Sequence, residues 1–328
     1  MSRTVRIDQE SFEIAGGGFA ISRGTRTHAN VLVVSIADRG HTGRGECVPY
    51  ARYGETMESV QAQIQEIAPL LQDSLTREAL QSAMPAGAAR NAVDCALWDL
   101  DAKLSGKRAT DLAGIAALKP VTTAYTISVG TPETMAEKTA QAAHRPLLKV
   151  KLSGSGDDER IEAVRNAAPD STLIVDANEA WDDSCFARNM AACEAAGVAL
   201  IEQPLPSSND GLLAGLERKI TICADESLHT RDGLEDLRSR YDAINIKLDK
   251  SGGLTEALAL LDEAKKLDFK IMVGCMLGTS LAMAPAVLLA QSADFVDLDG
   301  PLLLTEDRTP GLVFEGSTLF PPETALWG

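Results

Sequence analysis

The stretch from Thr172 to Ser227 constrains the fold of this chain more than any other. It contains three short apolar runs that each end in an acid: Thr172-Leu-Ile-Val-Asp176, Val198-Ala-Leu-Ile-Glu202 and Ile220-Thr-Ile-Cys-Ala-Asp225. Runs of this kind, without polar alternation, read as strands covered on both faces, the mark of a parallel sheet with helical crossovers. The acids fall about 25 residues apart, close to the length of one strand-helix unit. Successive parallel strands bring their carboxyl ends to one edge, so the three carboxylates converge. Gathered oxygen donors suit Mg2+, which keeps positions open for water or substrate. Without a cation, the like charges would repel in a partly desolvated site. Each acid taken alone also reads as a turn or helix-cap residue.

Lysines flank the acids. Leu147-Leu-Lys149-Val-Lys151-Leu lies upstream, and Ala243-Ile-Asn-Ile-Lys247-Leu-Asp249 downstream. Period-two alternation puts Lys149 and Lys151 on one side of their strand. A lysine in an apolar strand needs a partner, and the acids of the intervening strands supply it. The order lysines, acid, acid, acid, lysine places an amine on each side of a metal. Near a dication and in low dielectric, a lysine is expected to have a depressed pKa and to act as a base near neutrality. Two such lysines facing each other across a carbon atom can take a proton from one face and return it to the other.

The rest of the chain organises around this unit. Eight strand candidates, Thr123–Val129, Leu147–Leu152, Thr172–Asp176, Val198–Glu202, Ile220–Ala224, Ala243–Leu248, Lys270–Cys275 and Phe295–Leu298, recur in regular alternation with helical segments. That pattern fits a closed barrel of strand-helix units, with its chemistry at the carboxyl ends of the strands. Upstream, Val31–Ala37 reads as a strand, Gly40–Cys47 as Gly-rich turn material, and Glu58–Leu71 and Gly87–Leu104 as helices. The small residues of the second helix suggest close packing against another element. An α+β domain, residues 1–115, therefore precedes a barrel, residues 116–310, with the join near Leu112–Val121.

A formal charge of -16 excludes a nucleic-acid partner, which needs a basic surface. No apolar run approaches membrane-spanning length and no apolar signal region follows Met1, so the expected location is cytoplasmic. The six cysteines show no CxxC pair and the four histidines no ligand pair, which argues against zinc and for reduced, mostly buried thiols.

Together, Lys149-Val-Lys151, Asp176-Ala-Asn178, Glu202-Gln-Pro204, Ala224-Asp225-Glu226-Ser227, Asn245-Ile-Lys247-Leu-Asp249 and Asp297-Leu-Asp299-Gly300 resemble the enolase superfamily, and within it the dipeptide epimerase branch. The resemblance covers nearly the whole chain. It implies a modified (β/α)7β TIM-like barrel capped by an α+β domain, to which residues 311–328 return, with loops at Arg23–Arg26 and Glu46–Thr56 over the barrel mouth. It implies that Asp176, Glu202 and Asp225 bind one Mg2+ per subunit. Lys151 and Lys247 become the two acid/base catalysts, and Lys149 helps stabilise an enediolate. Asp297 and Asp299, at alternate positions of the eighth strand, would hold the free ammonium of a dipeptide, with Thr126, Cys275 and Leu277 as further contacts. Arg23, or Arg26 if the loop is shifted, would pair with a glutamate side chain.

The activity so implied is epimerisation at the α-carbon of the C-terminal residue of a dipeptide, L-Ala-D/L-Glu, in the turnover of peptidoglycan peptides by a homo-oligomer. N-acyl amino acid racemase, o-succinylbenzoate synthase and cycloisomerase share the metal and lysine sites, but their substrates give Asp297 and Asp299 no ammonium to bind. A Schiff-base aldolase would leave the three acids without a role. A non-catalytic relative would be expected to lack Lys151 or Lys247.

Overall fold

The computed structural model describes residues 3–328. The amino-terminal region opens with β1 (Thr4–Glu13), a hairpin of β2 (Phe19–Ile21) and β3 (Gly24–Arg26), then β4 (His28–Asp38) and β5 (His41–Cys47). Strands β1, β4 and β5 form an antiparallel sheet in that order. Three helices follow: α1 (Met57–Gln72), α2 (Arg77–Ala83) and α3 (Ala88–Ser105), with a short turn of helix, α4 (Ala109–Leu112). Helix α1 starts where Thr56 and Ser59 cap one another reciprocally. It buries Val60, Ile64, Ile67 and Leu71, one stripe at helical spacing.

The segment expected to be turn, Gly40–Cys47, is largely strand β5. Its glycines serve packing rather than turning. A Cβ at Gly45 would stand 2.1 Å from the main-chain oxygen of Ala92, so α3 lies directly on the β5 backbone. The small residues of Ala88-Ala-Arg-Asn-Ala are the other half of that contact, which is why nearly all of α3 is buried.

After β6 (Val121–Thr122) the barrel follows: β7 (Tyr125–Ile127), α5 (Pro132–Ala142), β8 (Leu147–Lys151), α6 (Asp157–Ala167), β9 (Thr172–Asp176), α7 (Phe186–Ala195), β10 (Leu200–Glu202), β11 (Thr221–Ala224), α8 (Leu234–Leu237), β12 (Ala243–Ile246), α9 (Leu248–Ser251), α10 (Leu254–Lys266), β13 (Lys270–Val273), α11 (Ser280–Ala290) and β14 (Phe295–Val296). All eight expected strands form, and they hydrogen-bond in chain order from β7 to β14 as one parallel sheet. Ala124 N–H donates to Val296 O at 2.8 Å, joining the first and last strands into a closed ring.

The expected alternation is interrupted twice. Residues 203–220 carry only a single 3-10 turn, Gly211–Gly215, because Pro204, Pro206 and two glycines prevent a helix. The next crossover has only the four residues of α8. The chain ends with β15 (Phe314–Glu315) and β16 (Thr318–Leu319), a hairpin pairing with β6. Its last residues reach α3, where Trp327 Nε1 donates to Cys95 O and Gly328 N–H to Asp99 Oδ1.

Candidate active site

The interior of the barrel is closed at its amino end by a buried ring of Ala124, Leu147, Ile174, Leu200, Cys223, Ala243 and Met272, with Phe295 packed against it. Side chains on a strand repeat their side every second residue. Two residues further on, the same inward positions are therefore Thr126, Lys149, Asp176, Glu202, Asp225, Asn245 and Asp297. A further step gives Lys151, Lys247 and Asp299. Alternation thus converts an apolar plug directly into a polar mouth.

The three acids meet as expected: ligand oxygens of Asp176, Glu202 and Asp225 all lie within 4.8 Å of one another. All are buried. Octahedral Mg2+ with oxygens at about 2.1 Å spaces its ligands by about 3 to 4 Å, so a small contraction suffices. Glu202 Oε2 and Asp225 Oδ1 are buried and accept no aligned hydrogen bond; each is met by an ion pair at 2.6 Å, from Lys149 and Lys250 respectively. Hard, anionic oxygens gathered in this way fit a divalent cation.

The lysines interleave with these acids. Lys151 Nζ lies 2.6 Å from Asp176 Oδ2. Lys247 Nζ lies 2.6 Å from Asp225 Oδ2 and 3.6 Å from Glu202 Oε1. Lys149 Nζ touches Glu202 Oε2 at 2.6 Å, Asp297 Oδ2 at 2.7 Å and Asp176 Oδ2 at 3.3 Å. Burial works against the charge on Lys149 and Lys247, but the surrounding carboxylates outweigh it and hold both well above the usual lysine pKa. The expected depression is thus not the state of this arrangement, because it requires those carboxylates to be shared with a second cation. Burial also opposes ionisation of Asp176, yet Lys151, Lys149 and Lys247 keep it below the ordinary aspartate range. Glu202 is raised instead, by burial and by the charge of Asp176.

Asp299 accepts from Thr126 N–H at 2.7 Å. Burial, then the charge of Asp297, pushes its carboxyl up to about 7. Asp297 Oδ1 is buried without a donor. Both acids line a cavity of about 460 Å3, together with Thr126, Lys149, Lys151, Lys247, Cys275 and Leu277. Cys275 is half-buried, and burial raises its thiol well above the usual range, which suits a wall residue better than a nucleophile.

The amino-terminal loops cover this cavity. Arg23 and Arg26 both line it, but their settings differ. Arg23 pairs with Glu226 Oε1 at 2.7 Å and donates to Asn178 O at 2.9 Å and Tyr50 Oη at 3.2 Å. Arg26 is exposed and stacks 4.9 Å above the Tyr50 ring. Arg52 closes a second link, bidentate to Glu179 at 2.7 and 2.8 Å.

Three residues at the site had no role assigned from the sequence. Asn245 Nδ2 donates to Glu202 Oε1 at 2.7 Å, and its alternation with Lys247 was the available signal. Glu226 anchors Arg23, and its neighbour Asp225 was the only hint. Lys250 sits on α9, outside any strand period.

Residues 2–114 match the family described as mandelate racemase / muconate lactonizing enzyme, N-terminal domain, and residues 133–316 match enolase C-terminal domain-like. The L-Ala-D/L-Glu epimerase of Escherichia coli (strain K12) is 49% identical over 314 residues, 95% of this chain and 98% of that protein. An N-acetyl-D-glutamate racemase of Pseudoalteromonas sp is 45% identical over 91% of this chain and 95% of its own length. Among solved structures, an enolase family member from Agrobacterium tumefaciens with homology to dipeptide epimerases, holding sodium and L-Ala-L-Glu, superposes with a TM-score of 0.98 at 56% identity, covering 99% of this chain and 100% of that one. A dipeptide epimerase from Enterococcus faecalis V583, complexed with Mg and L-Leu-L-Tyr, gives 0.90 at 27% identity over 98% of each chain. The chain belongs to the enolase superfamily, in the branch of the dipeptide epimerases.

Proposed function

We propose that this protein is a magnesium-dependent dipeptide epimerase that inverts the α-carbon of the C-terminal residue, with L-Ala-D/L-Glu as substrate. The observation that carries this reading is the placement of Lys151 and Lys247. They stand at the ends of β8 and β12, four strands apart in either direction around a ring of eight. They therefore face each other across the mouth, one for each face of a carbon held between them.

Asp176, Glu202 and Asp225 would hold one Mg2+ per chain; among the described residues they form the single such cluster. When bound, the ion supplies positive charge to a substrate carboxylate, whose α-proton is otherwise too weakly acidic to remove. Lys149 adds its own charge beside the same carboxylates. One of the paired lysines takes the α-proton and the other delivers a proton to the opposite face.

Asp297 and Asp299 support a dipeptide over an N-acyl substrate. A buried, undonated carboxylate oxygen at Asp297 calls for a cationic donor, and a free α-ammonium is one. The wall at Thr126, Cys275 and Leu277 borders that position. For the substrate's side-chain carboxylate, the geometry supports Arg26, which has no acid partner among the described residues. Arg23 is neutralised by Glu226 and fits the task of holding the loop shut. Cytoplasmic placement, homo-oligomeric assembly and a role in peptidoglycan-peptide turnover belong to the same reading. No helix among the described residues is long and apolar enough to cross a membrane.

The test is proton NMR of L-Ala-L-Glu in D2O with the protein and Mg2+. Loss of the glutamate α-proton with growth of the diastereomer is expected. No exchange with any of a small panel of dipeptides, together with exchange of N-acetylglutamate, would replace this reading with the N-acyl racemase.

A further inference from the structure

We propose that Lys250 is a positioning residue for the metal site, fixing the carboxylate of Asp225 in place as a ligand. This rests on the assignment of Asp176, Glu202 and Asp225 as the ligand set. Lys250 lies on α9, and its side chain is 1% exposed. Its Nζ donates to the main-chain oxygens of Asp225 at 2.5 Å and Asn245 at 3.1 Å, and lies 2.6 Å from Asp225 Oδ1. The two carbonyls aim the ammonium, and the third contact is an ion pair with the carboxylate. Asp225 N–H donates to Gln203 Oε1 at 2.9 Å, and Lys247 faces Oδ2. Asp225 is thus held at every polar atom it has, and Lys250 accounts for two of them.

The division of labour between the two lysines follows from the proposed chemistry. Lys247 exchanges a proton with substrate and changes charge during turnover, so it cannot hold a ligand constant. Lys250 does not itself line the cavity, approaches Asp225 from behind, and keeps its partners throughout.

The amino-terminal region fixes Lys250 from behind. Arg90 of α3 donates from Nη2 to Ser251 O at 2.7 Å and from Nε to Gly252 O at 3.0 Å. Gly252 has φ +78°, and a Cβ there would lie 2.6 Å from Arg90 Nε and 2.8 Å from Ala86 Cα. The turn after Lys250 is therefore pressed against α3 with no room to shift.

Calorimetric titration of Mg2+ into the full chain tests this, comparing wild type with Lys250→Met, which retains an unbranched apolar stem. Removing a positive charge beside a carboxylate should by charge alone strengthen cation binding. Lost positioning does the opposite. The expected result is binding weakened roughly 10–100-fold, the usual effect of removing a partner of a metal ligand, with most of kcat recovered at saturating Mg2+. Unchanged or tighter Mg2+ binding by a folded variant overturns the proposal. A wild-type chain that binds no Mg2+ overturns the ligand assignment instead. If Lys250→Met fails to fold, Lys250→Gln carries the same criterion. Failure of both to fold would make the lysine a folding element and would also overturn the proposal.

Discussion

Deleting one of the two facing lysines should abolish epimerisation while leaving proton exchange alive on one stereoisomer alone. The structure allows the bases to be removed singly without stripping a ligand of its cationic neighbours. In Lys151→Ala, Asp176 keeps Lys149 at 3.3 Å; in Lys247→Ala, Asp225 keeps Lys250 at 2.6 Å. The loss therefore falls on proton transfer. A positioned general base contributes roughly 10^2–10^4-fold, which at 1.36 kcal/mol per decade corresponds to roughly 3–5 kcal/mol of barrier. Epimerisation uses both lysines in either direction, so each variant should lose that whole factor. Exchange with solvent uses only the lysine on the side of the departing proton. In D2O, each variant should wash out the α-proton of one of L-Ala-L-Glu and L-Ala-D-Glu, and the two variants should make opposite choices. The assay is the integrated α-proton signal of each separate epimer against time, at saturating Mg2+. If either variant exchanged both epimers at the wild-type rate, the two-base reasoning would fail, however far epimerisation itself had fallen.

Three further outcomes follow from particular contacts. A raised carboxyl is neutral below its pKa and charged above it, and ammonium recognition needs the charged form. With Asp299 at about 7, kcat/KM for a dipeptide should fall about tenfold per pH unit on the acid side; Asp299→Asn should lose this limb, and a wild-type profile flat down to about pH 5.5 would contradict it. Arg26→Ala should raise KM for L-Ala-L-Glu roughly 10–100-fold, the loss of roughly 1.5–3 kcal/mol from a charged hydrogen bond, with little effect on a dipeptide ending in an apolar residue; equal effects on both would contradict the assignment. Gly45→Ala should destabilise the fold by roughly 3 kcal/mol, the upper end for overpacking, because the new methyl meets main chain at 2.1 Å rather than a movable side chain; urea denaturation showing a loss below about 0.5 kcal/mol, the level of an ordinary surface substitution, would refute the backbone contact.

The legible parts of this chain are those where one strand supplies both a packing signal and a chemical one. Ile174 and Asp176, Leu200 and Glu202, Cys223 and Asp225, and Ala243, Asn245 and Lys247 each step from the buried ring to the polar mouth by the two-residue period. An apolar run that ends in an acid therefore reports strand position, facing and chemistry at once. Strand β5 escaped because His41-Thr-Gly-Arg-Gly-Glu-Cys47 carries glycine where a strand usually shows branched side chains. The reason for those glycines lies some 50 residues downstream, in the backbone of α3 that must touch them. The abbreviated fourth crossover escaped for the opposite reason. The regular spacing of the strands implied a helix there, although Pro204, Pro206, Gly211 and Gly215 locally forbid one. Lys250 escaped because it belongs to a helical turn whose direction is set by Arg90 and by the absence of side chains at Gly252 and Gly253. The arginines escaped in a different way. Sequence placed Arg23 and Arg26 together on one loop, and both line the cavity, but only the position of Glu226 separates an arginine that is already paired with an acid from one that is not. Periodicity reaches as far as the residues that one element carries. Roles that depend on a second element packing against the first become visible only when both are in place.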